Sequence, residues 1–496
     1  MMGAGAVGRA GAAFAVLLSA GPPVRLSAQC PNGSPPPCAG VAHGPASNSV
    51  AVLYFDNLSR DTADAYLADG LTEEIIARLG AVPRIAVKSR FEVRPMRGHA
   101  PSDLAALGRR LNAAYLLSGT VQRGGARVRV RVELIRAATR ARVWGDQFDQ
   151  PDGDVLAIEE AIGRGVVLGI AGAVLPSERV ALGGRPTRSA AAYDLYLQGR
   201  AAFNREDQGK AIPLFQRALA EDSTFALAWA ALARAWTEAA DSWRPPREAY
   251  PAARAAGLRA LALDSNRAEA WVALVAPTLA LDHDPVAAER MARRAIELSP
   301  GLPDAWTNLG FTQWNLGRSR EGLEAMSHAW DLDTLSRVSA SYRLIALEFA
   351  GRYEEAVAFA HRVGVSASAA EVGAALARHD CAGAAPGLAR MWRTGWSAGD
   401  YVRALVCANR LADARLAVDS IVAQTRVRYF NPYAVASAFA ALGERDSAYA
   451  WLEATFDDRT NWYSAITFQP AWDPYRSDPR FIALMQKFHV PVSRID

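Results

Sequence analysis

At 496 residues, with 51% hydrophobic and 21% charged side chains, the chain is long enough for two or more domains and has the composition of a folded protein. A formal charge of +4 over that length gives no whole-chain electrostatic case for nucleic acid. The four cysteines lack histidine or further cysteine at short spacing, which argues against a metal site built on them.

In chain order, Arg9 is the only charge before the apolar run AGAAFAVLLSAG, and Leu26-Ser27-Ala28 places small residues before a cut at Gln29. Residues 1–28 therefore read as a secretory signal peptide, with an apolar run too short to span a bilayer comfortably. A lipid anchor on Cys30 is the alternative, disfavoured by Gln29 immediately before it. Loss of Arg9 and Arg25 takes the charge from +4 to 4 − 2 = +2. The expected location is periplasmic or otherwise exported, in association with the cell envelope. Residues 29–47 are rich in Pro, Gly, Ser and Ala and read as a linker. Cys30 and Cys38 bracket PNGSPPP, while Cys381 and Cys407 fall in what should be neighbouring helices. An exported chain permits both pairs to be disulfides; two buried thiols are the other reading of Cys381 and Cys407.

From Ser49 the texture changes. SVAVLYF is a buried strand; DGLTEEIIARL is a helix with Thr72 as its expected N-cap and Glu73 and Glu74 in the first turn. RIAVKS is a second strand, and Ser102 is the expected cap of the helix DLAALGRRL. AYLLSGTV is a third strand. Gly124-Gly125 then turns the chain into ARVRVRVEL, where Val128, Val130, Val132 and Leu134 alternate with Arg127, Arg129, Arg131 and Glu133 at period two. RVWGDQF is the last strand and VLAIEEAIGRGVVLGIAG the closing helix. This β-α-β-α-β-β-β-α order predicts an α+β domain, a mixed sheet with flanking helices, over residues 48–178.

The order and wording of AVLYFDNLSRDTADAYLADGLTEEIIARL, of the Leu-Leu-Ser-Gly-Thr-Val strand and of RVELIRAATRARVWGDQFD resemble the TolB amino-terminal-like (FlgO-like) domain across most of residues 49–150. The resemblance implies an envelope or regulatory setting in which such a domain precedes a tetratricopeptide array. Relatives often carry a DNA-binding, kinase or cyclase domain ahead of it; here a leader and linker stand in that place, which sets the expectation against an intracellular regulator.

Residues 179–188, around LGGRPTR, read as a second linker, and residues 189–496 as helical repeats. AWTNLGFTQWNLGRSREGLEAMSHAWDLD is the clearest copy, with Trp306, Leu309, Gly310, Gly317, Ala325 and Ala329 at characteristic places. Trp229/Leu232 and Trp271/Leu274 repeat its opening. Such a period, roughly 34 residues, marks tetratricopeptide-type helix pairs stacked into a superhelical, all-α solenoid. Gly199, Ala211, Phe215 and Ala218 supply the small and large positions of a first pair. GRYEEAVAFA and LGERDSAYAWLEA keep only the second-helix opening, residues 365–425 match poorly, and a capping helix is expected after Pro479. The tryptophans are expected to be packing wedges between pairs.

Chemical motifs are scarce. Gly3-x-Gly5-x-x-Gly8 matches a dinucleotide fingerprint but has no strand before it and lies in the leader. Histidines 43, 99, 283, 328, 361, 379 and 489 are scattered, and Asp282-His283-Asp284 reads as an interhelical turn. No G-x-S-x-G elbow, P-loop or kinase set occurs, so a non-enzyme without cofactors is expected. Arg127, Arg129 and Arg131 read as the solvated face of a sheet, with Arg123, Arg136, Arg140 and Arg142 beside them.

Counting along the first helix of each pair places Arg200, Phe203, Asn204, Arg234, Phe311, Trp314 and Asn315 on the concave surface, an aromatic and arginine-lined groove suited to a peptide or helix. Tyr196, Ala230, Val272 and Thr307 occupy one position of the carboxylate clamp used by some tetratricopeptide proteins, so that clamp is not reproduced. The expected function is a non-enzymatic, exported scaffold or adaptor with a protein or peptide partner. No nucleic-acid partner or transmembrane span is expected, and self-association is compatible with the fold. The alternative is a detached sensory or regulatory module related to tetratricopeptide-containing transcriptional regulators or kinases.

Overall fold

The apolar run that begins at Ser49 becomes a strand flanked on both sides and covered on both faces. In the computed structural model, which describes residues 45–492 apart from 89, 95–96, 98–102, 126, 152–153, 206, 241, 335, 385–397, 461–464, 489 and 491, β1 (Ser49–Val52) is buried throughout. The signal peptide, the Gly3–Gly8 match, Cys30, Cys38 and the linker up to residue 44 lie outside the described residues, as does Ser102.

β1 pairs in parallel with β3 (Ala86–Val87) and β4 (Tyr115–Gly124), and β2 (Asp56–Asn57) pairs in parallel further along β4. β5 (Arg127–Arg136) and β6 (Arg142–Pro151) extend the sheet by antiparallel hairpins, giving the order β3-β1-β4-β5-β6. Val50 and Val52 face α1 (Ala65–Gly80) and α4 (Val155–Ala171), packing with Leu71, Ile75, Ile162 and Val166. Ala51 and Leu53 face α2 (Arg90–Val93) and α3 (Leu104–Arg110), packing with Val93 and Leu107. Burial of both faces explains why this strand is continuously apolar, whereas β5 alternates because its arginine face meets solvent.

Two local expectations change. Thr72 is not an N-cap: α1 starts a full seven residues earlier, after a 3-10 turn capped by Asp61. The Thr72 hydroxyl lies inside the helix, donating to the Ala68 carbonyl at 2.8 Å and accepting the Phe55 N–H at 3.0 Å, so it ties α1 to the strand end. The cap of α3 is Asp103, whose Oδ1 accepts from the N–H groups of Ala105 and Ala106.

The second linker is also partly helical. α5 (Pro176–Gly183) runs through its first half with Leu182 buried. Arg78 Nη1 holds the carbonyls of Leu182 and Gly184 at 2.7 and 3.0 Å, and Arg84 grips both oxygens of Glu178 at 2.6 and 2.7 Å. Sheet and helices beyond this point share one hydrophobic core and fall in one compact unit from Pro45 onward.

Helix pairs follow: α6 (Ala190–Phe203) with α7 (Gln208–Glu221), α8 (Ala226–Ala239) with α9 (Pro246–Leu263), and α10 (Ala268–Asp282) with α11 (Pro285–Leu298). α12 (Pro303–Asn315) pairs with α13 (Ser319–Leu332), and α14 (Arg337–Phe349) with α15 (Tyr353–Val363). The array ends with α16 (Ser368–Ala377), α17 (Ala398–Cys407), α18 (Leu411–Thr425), α19 (Pro432–Leu442), α20 (Arg445–Asp457), α21 (Ala465–Phe468) and α22 (Pro479–Lys487). The architecture is an α+β amino-terminal part followed by a tetratricopeptide-type solenoid.

Small residues set the pair spacing. A Cβ on Gly310 would lie 2.6 Å from Met326 Cγ and 3.0 Å from the Gly322 carbonyl, so α12 and α13 approach nearly backbone to backbone. Gly317, at φ 78°, makes the turn between them in a conformation that other residues rarely adopt. The repeat tryptophans pack between neighbouring helices as expected, Trp229 against Ala260 and Ala270, Trp271 against Ala295 and Ala305, and Trp306 against Val275 and Ala325, and they also hydrogen-bond. Trp229, Trp271 and Trp306 are half-buried, and each indole N–H donates to the carbonyl six residues earlier, in Ser223, Ser265 and Pro300, at 3.0, 2.9 and 2.9 Å. They strap the turn entering each first helix.

Asp282-His283-Asp284 is the expected turn, with His283 left-handed and Asp284 accepting the Ala287 N–H. Cys381 and Cys407 form a disulfide, Cα to Cα 5.4 Å, that joins the turn after α16 to the end of α17. Trp472 is fully buried among Tyr433, Tyr475 and Phe481, and α22 begins at Pro479, capped by Asp478.

Candidate functional site: the concave groove

The first helix of each pair lines a concave cavity of about 2080 Å³. Small-molecule sites span roughly 300–1,000 Å³, so this space is of a size for a polypeptide segment. Tyr196 of α6, Ala230 of α8, Val272 of α10 and Thr307 of α12 all line it, in the register counted from the sequence.

Five of the seven expected groove residues line the cavity: Arg200, Phe203, Asn204, Arg234 and Phe311. They are not equally available. Arg200 Nη2 contacts Glu73 of α1, Nη1 lies 3.8 Å from Glu74, and Asn204 Nδ2 reaches Glu73 at 3.4 Å. Burial opposes the Arg200 charge, but Tyr196, Glu73 and Glu74 hold the guanidinium firmly charged. These residues wall off the first end of the groove and bind it to the sheet.

Arg234 crosses from α8 to α12, with Nη1 2.5 Å from Asp304 Oδ2 and Nη2 3.1 Å from Oδ1. It also lies over the Phe203 ring at 4.9 Å. Phe311 is half-buried, packs at right angles to Tyr342 at 4.9 Å, and lines the cavity.

Trp314 and Asn315 are corrections. Trp314 is 1% exposed, packed on Phe349 and opposite Gly322, where a Cβ would lie 2.5 Å from the indole. It faces the partner helix α13, one helical step away from the groove. Asn315 is buried, its Nδ2 donating to the Phe311 carbonyl at 2.8 Å.

The basic face of the sheet is matched within the chain. Arg127 and Arg129 both pair with Asp149, at 2.6 and 2.9 Å, and Arg131 donates to Gln147. Arg123 bonds Asp64, Asp194 and Tyr66, Arg140 meets Asp103, Arg142 meets Glu133, and Arg136 covers the Tyr115 ring.

Residues that the sequence did not assign to the groove complete the site. Glu73 and Asp304 are the acidic partners above. Glu348 of α14 lines the far end, with Oε1 buried and unbonded among the described residues. The available signal was one acid inside the apolar stretch LIALEFA. Among the described residues no group of three or more His, Cys, Asp or Glu is placed to hold a metal ion. No described helix is long and apolar enough to cross a membrane.

Residues 46–162 match the family model of the HilA/YgeH-like transcriptional regulator, second domain. A curated protein of Rhizobium meliloti (strain 1021), named putative adenylate cyclase 3, is 32% identical over 191 residues, 38% of this chain and 32% of the relative. The chain thus spans about a third of that relative's length.

Among solved structures, Pseudomonas aeruginosa PilF is 18% identical, with TM-score 0.32 over 41% of this chain and 91% of that one. A thermophilic tetratricopeptide protein of Thermus thermophilus is 18% identical, with TM-score 0.31 over 35% and 90%. A tetratricopeptide repeat protein of Parabacteroides merdae is 11% identical, with TM-score 0.29 over 54% and 93%.

Proposed function

We propose that this chain is a non-enzymatic scaffold or adaptor that holds a polypeptide partner in the concave groove of its solenoid. The observation that carries the reading is the cavity itself, about 2080 Å³, walled by successive first helices and studded with Phe311, Tyr342 and the Arg234–Asp304 pair. Aromatic and arginine anchors in a concave, partly apolar surface are what polypeptide recognition requires. The sheet region is read as a TolB amino-terminal-like domain that braces the first end of the groove through Glu73. The leader-like residues 1–28 favour a setting in the cell envelope. Affinity selection from envelope extract with the wild type and the Arg234→Glu, Phe311→Ala double variant tests the groove. Loss of the captured partner is expected, and an unchanged set of partners would refute it.

A second reading has its own support. The match of residues 46–162 to a regulator's second domain, and the likeness to part of a protein named as a putative cyclase, favour a sensory or regulatory module detached from an effector. Sequencing the amino terminus of the cellular protein separates the two. A terminus at Gln29 supports the envelope scaffold, and an uncleaved one supports the regulatory module.

A further inference from the structure

Two carboxylates of the groove lining are matched by cations within the chain. Glu73 meets Arg200 and Asp304 meets Arg234. Glu348 has no such partner: its Oε1 is buried in the cavity wall without a hydrogen bond. A buried carboxyl oxygen left unbonded is costly, and such groups generally mark a partner or a function. The Tyr433 hydroxyl, in the same lining, is committed elsewhere, donating to Gln469 Oε1 at 2.7 Å.

A second acid deepens the imbalance. Asp400 of α17 lines the same stretch, paired at 2.7 Å, among the described residues, with Arg403 one turn along its own helix. Burial, and then the Asp400 charge, push the Glu348 carboxyl up to about 8. The site thus keeps a proton where a cation would let it ionise. Aromatic rings also line this stretch, Phe349, Tyr353, Tyr433 and Phe468, with Phe349 and Phe468 stacked at 5.1 Å. Ring faces and a desolvated carboxylate together favour a positive charge. The acids are too few to hold a metal ion among the described residues.

We propose that the Glu348 end of the groove receives a cationic side chain, the ammonium of a lysine or the guanidinium of an arginine, from the partner polypeptide. The inference rests on the peptide-groove reading above and names what the partner must present.

The test is a dodecapeptide array probed with the full chain, followed by solution affinities of the bound peptides. Wild type is expected to select peptides sharing one lysine or arginine. Replacing that residue by norleucine should weaken binding about ten-fold or more, a factor within reach of one desolvated charge pair. Glu348→Gln should weaken the cationic peptide similarly yet bind the norleucine analogue as the wild type does. Asp400→Asn, a change at a half-buried position, should give a smaller loss in the same direction and serves if Glu348→Gln does not fold. Selected peptides that tolerate norleucine, or a Glu348→Gln loss equal for both peptides, would overturn the cation site and leave the groove reading intact. If folded wild type bound no peptide at all, the groove reading would fail and this inference with it.

Discussion

The Arg247 guanidinium lies 3.0 Å from Asp458 Oδ1, although 211 residues separate them in the chain. Asp458 is buried and also accepts the Tyr429 hydroxyl at 2.8 Å, while the adjacent Arg459 donates to the Leu281 carbonyl at 3.0 Å. His283 meets Phe488 edge-on beside them. The end of α20 therefore returns to the α9–α10 region, so the superhelix is clasped shut around its groove.

Arg247→Glu should open that clasp. The expected outcome is a larger radius of gyration by small-angle X-ray scattering at unchanged helix content by circular dichroism. The pair is exposed on the arginine side, so its contribution to global stability should be small. An unchanged radius would show that other contacts close the ring.

The sheet and the solenoid should unfold together only while a buried network is whole. Arg78 Nη2 lies 3.2 Å from Glu159 Oε2, and the Tyr193 hydroxyl donates to Glu159 Oε1 at 2.6 Å, linking α1, α4 and α6. Arg78→Met removes the donor to Glu159 and to the Leu182 and Gly184 carbonyls, and buried acceptors left unbonded cost about 1–3 kcal/mol. Urea denaturation should show that loss. A change below about 1 kcal/mol would mean the network is not what joins the two parts.

Stability should fall with rising pH through Glu348. Its carboxyl is raised from 4.5 to about 8 in the folded chain. Between those values the native state keeps a proton that the unfolded state has lost. The stabilisation is therefore complete below about pH 4.5 and lost as pH climbs toward 8, with a slope of at most about 1.4 kcal/mol per pH unit for one proton. Glu159, also raised to about 8, acts in the same direction. The comparison of wild type with Glu348→Gln isolates the first group: the variant should have a flatter profile, and identical slopes would contradict the assignment.

Opening the Cys381–Cys407 disulfide releases a loop of 26 residues. By loop-closure entropy this costs roughly 3.5 kcal/mol. A Cys381→Ser, Cys407→Ser variant should lose the far end of the array first, seen as early hydrogen exchange in α16 and α17. Uniform exchange along the solenoid would argue against a local role.

What could be read from the sequence had short-range causes. The period-two face of β5 and the Trp-x-x-Leu openings declare themselves within one element, and the register they set put Arg200, Arg234 and Phe311 on the groove. Trp314 lies off the groove because α12 shows the groove and α13 different faces a single helical step apart. Only the closeness of Gly322 decides which one takes the indole. Thr72 looked like a cap because its hydroxyl suits one, but its partner is the Phe55 N–H on a different element. The Arg247–Asp458 clasp and the unmatched Glu348 depend on how far the superhelix turns, a sum of many small angles that no local pattern carries.

The most direct measurement is photo-crosslinking from defined faces of the solenoid. Benzoylphenylalanine replaces Phe311 on the groove in one protein and Leu416, 66% exposed on α18, in another. With the array-selected peptide, crosslinks should form from position 311 and not from 416, and excess unlabelled peptide should abolish them. Equal labelling from both positions, or labelling from 416 alone, would contradict a partner held in the groove.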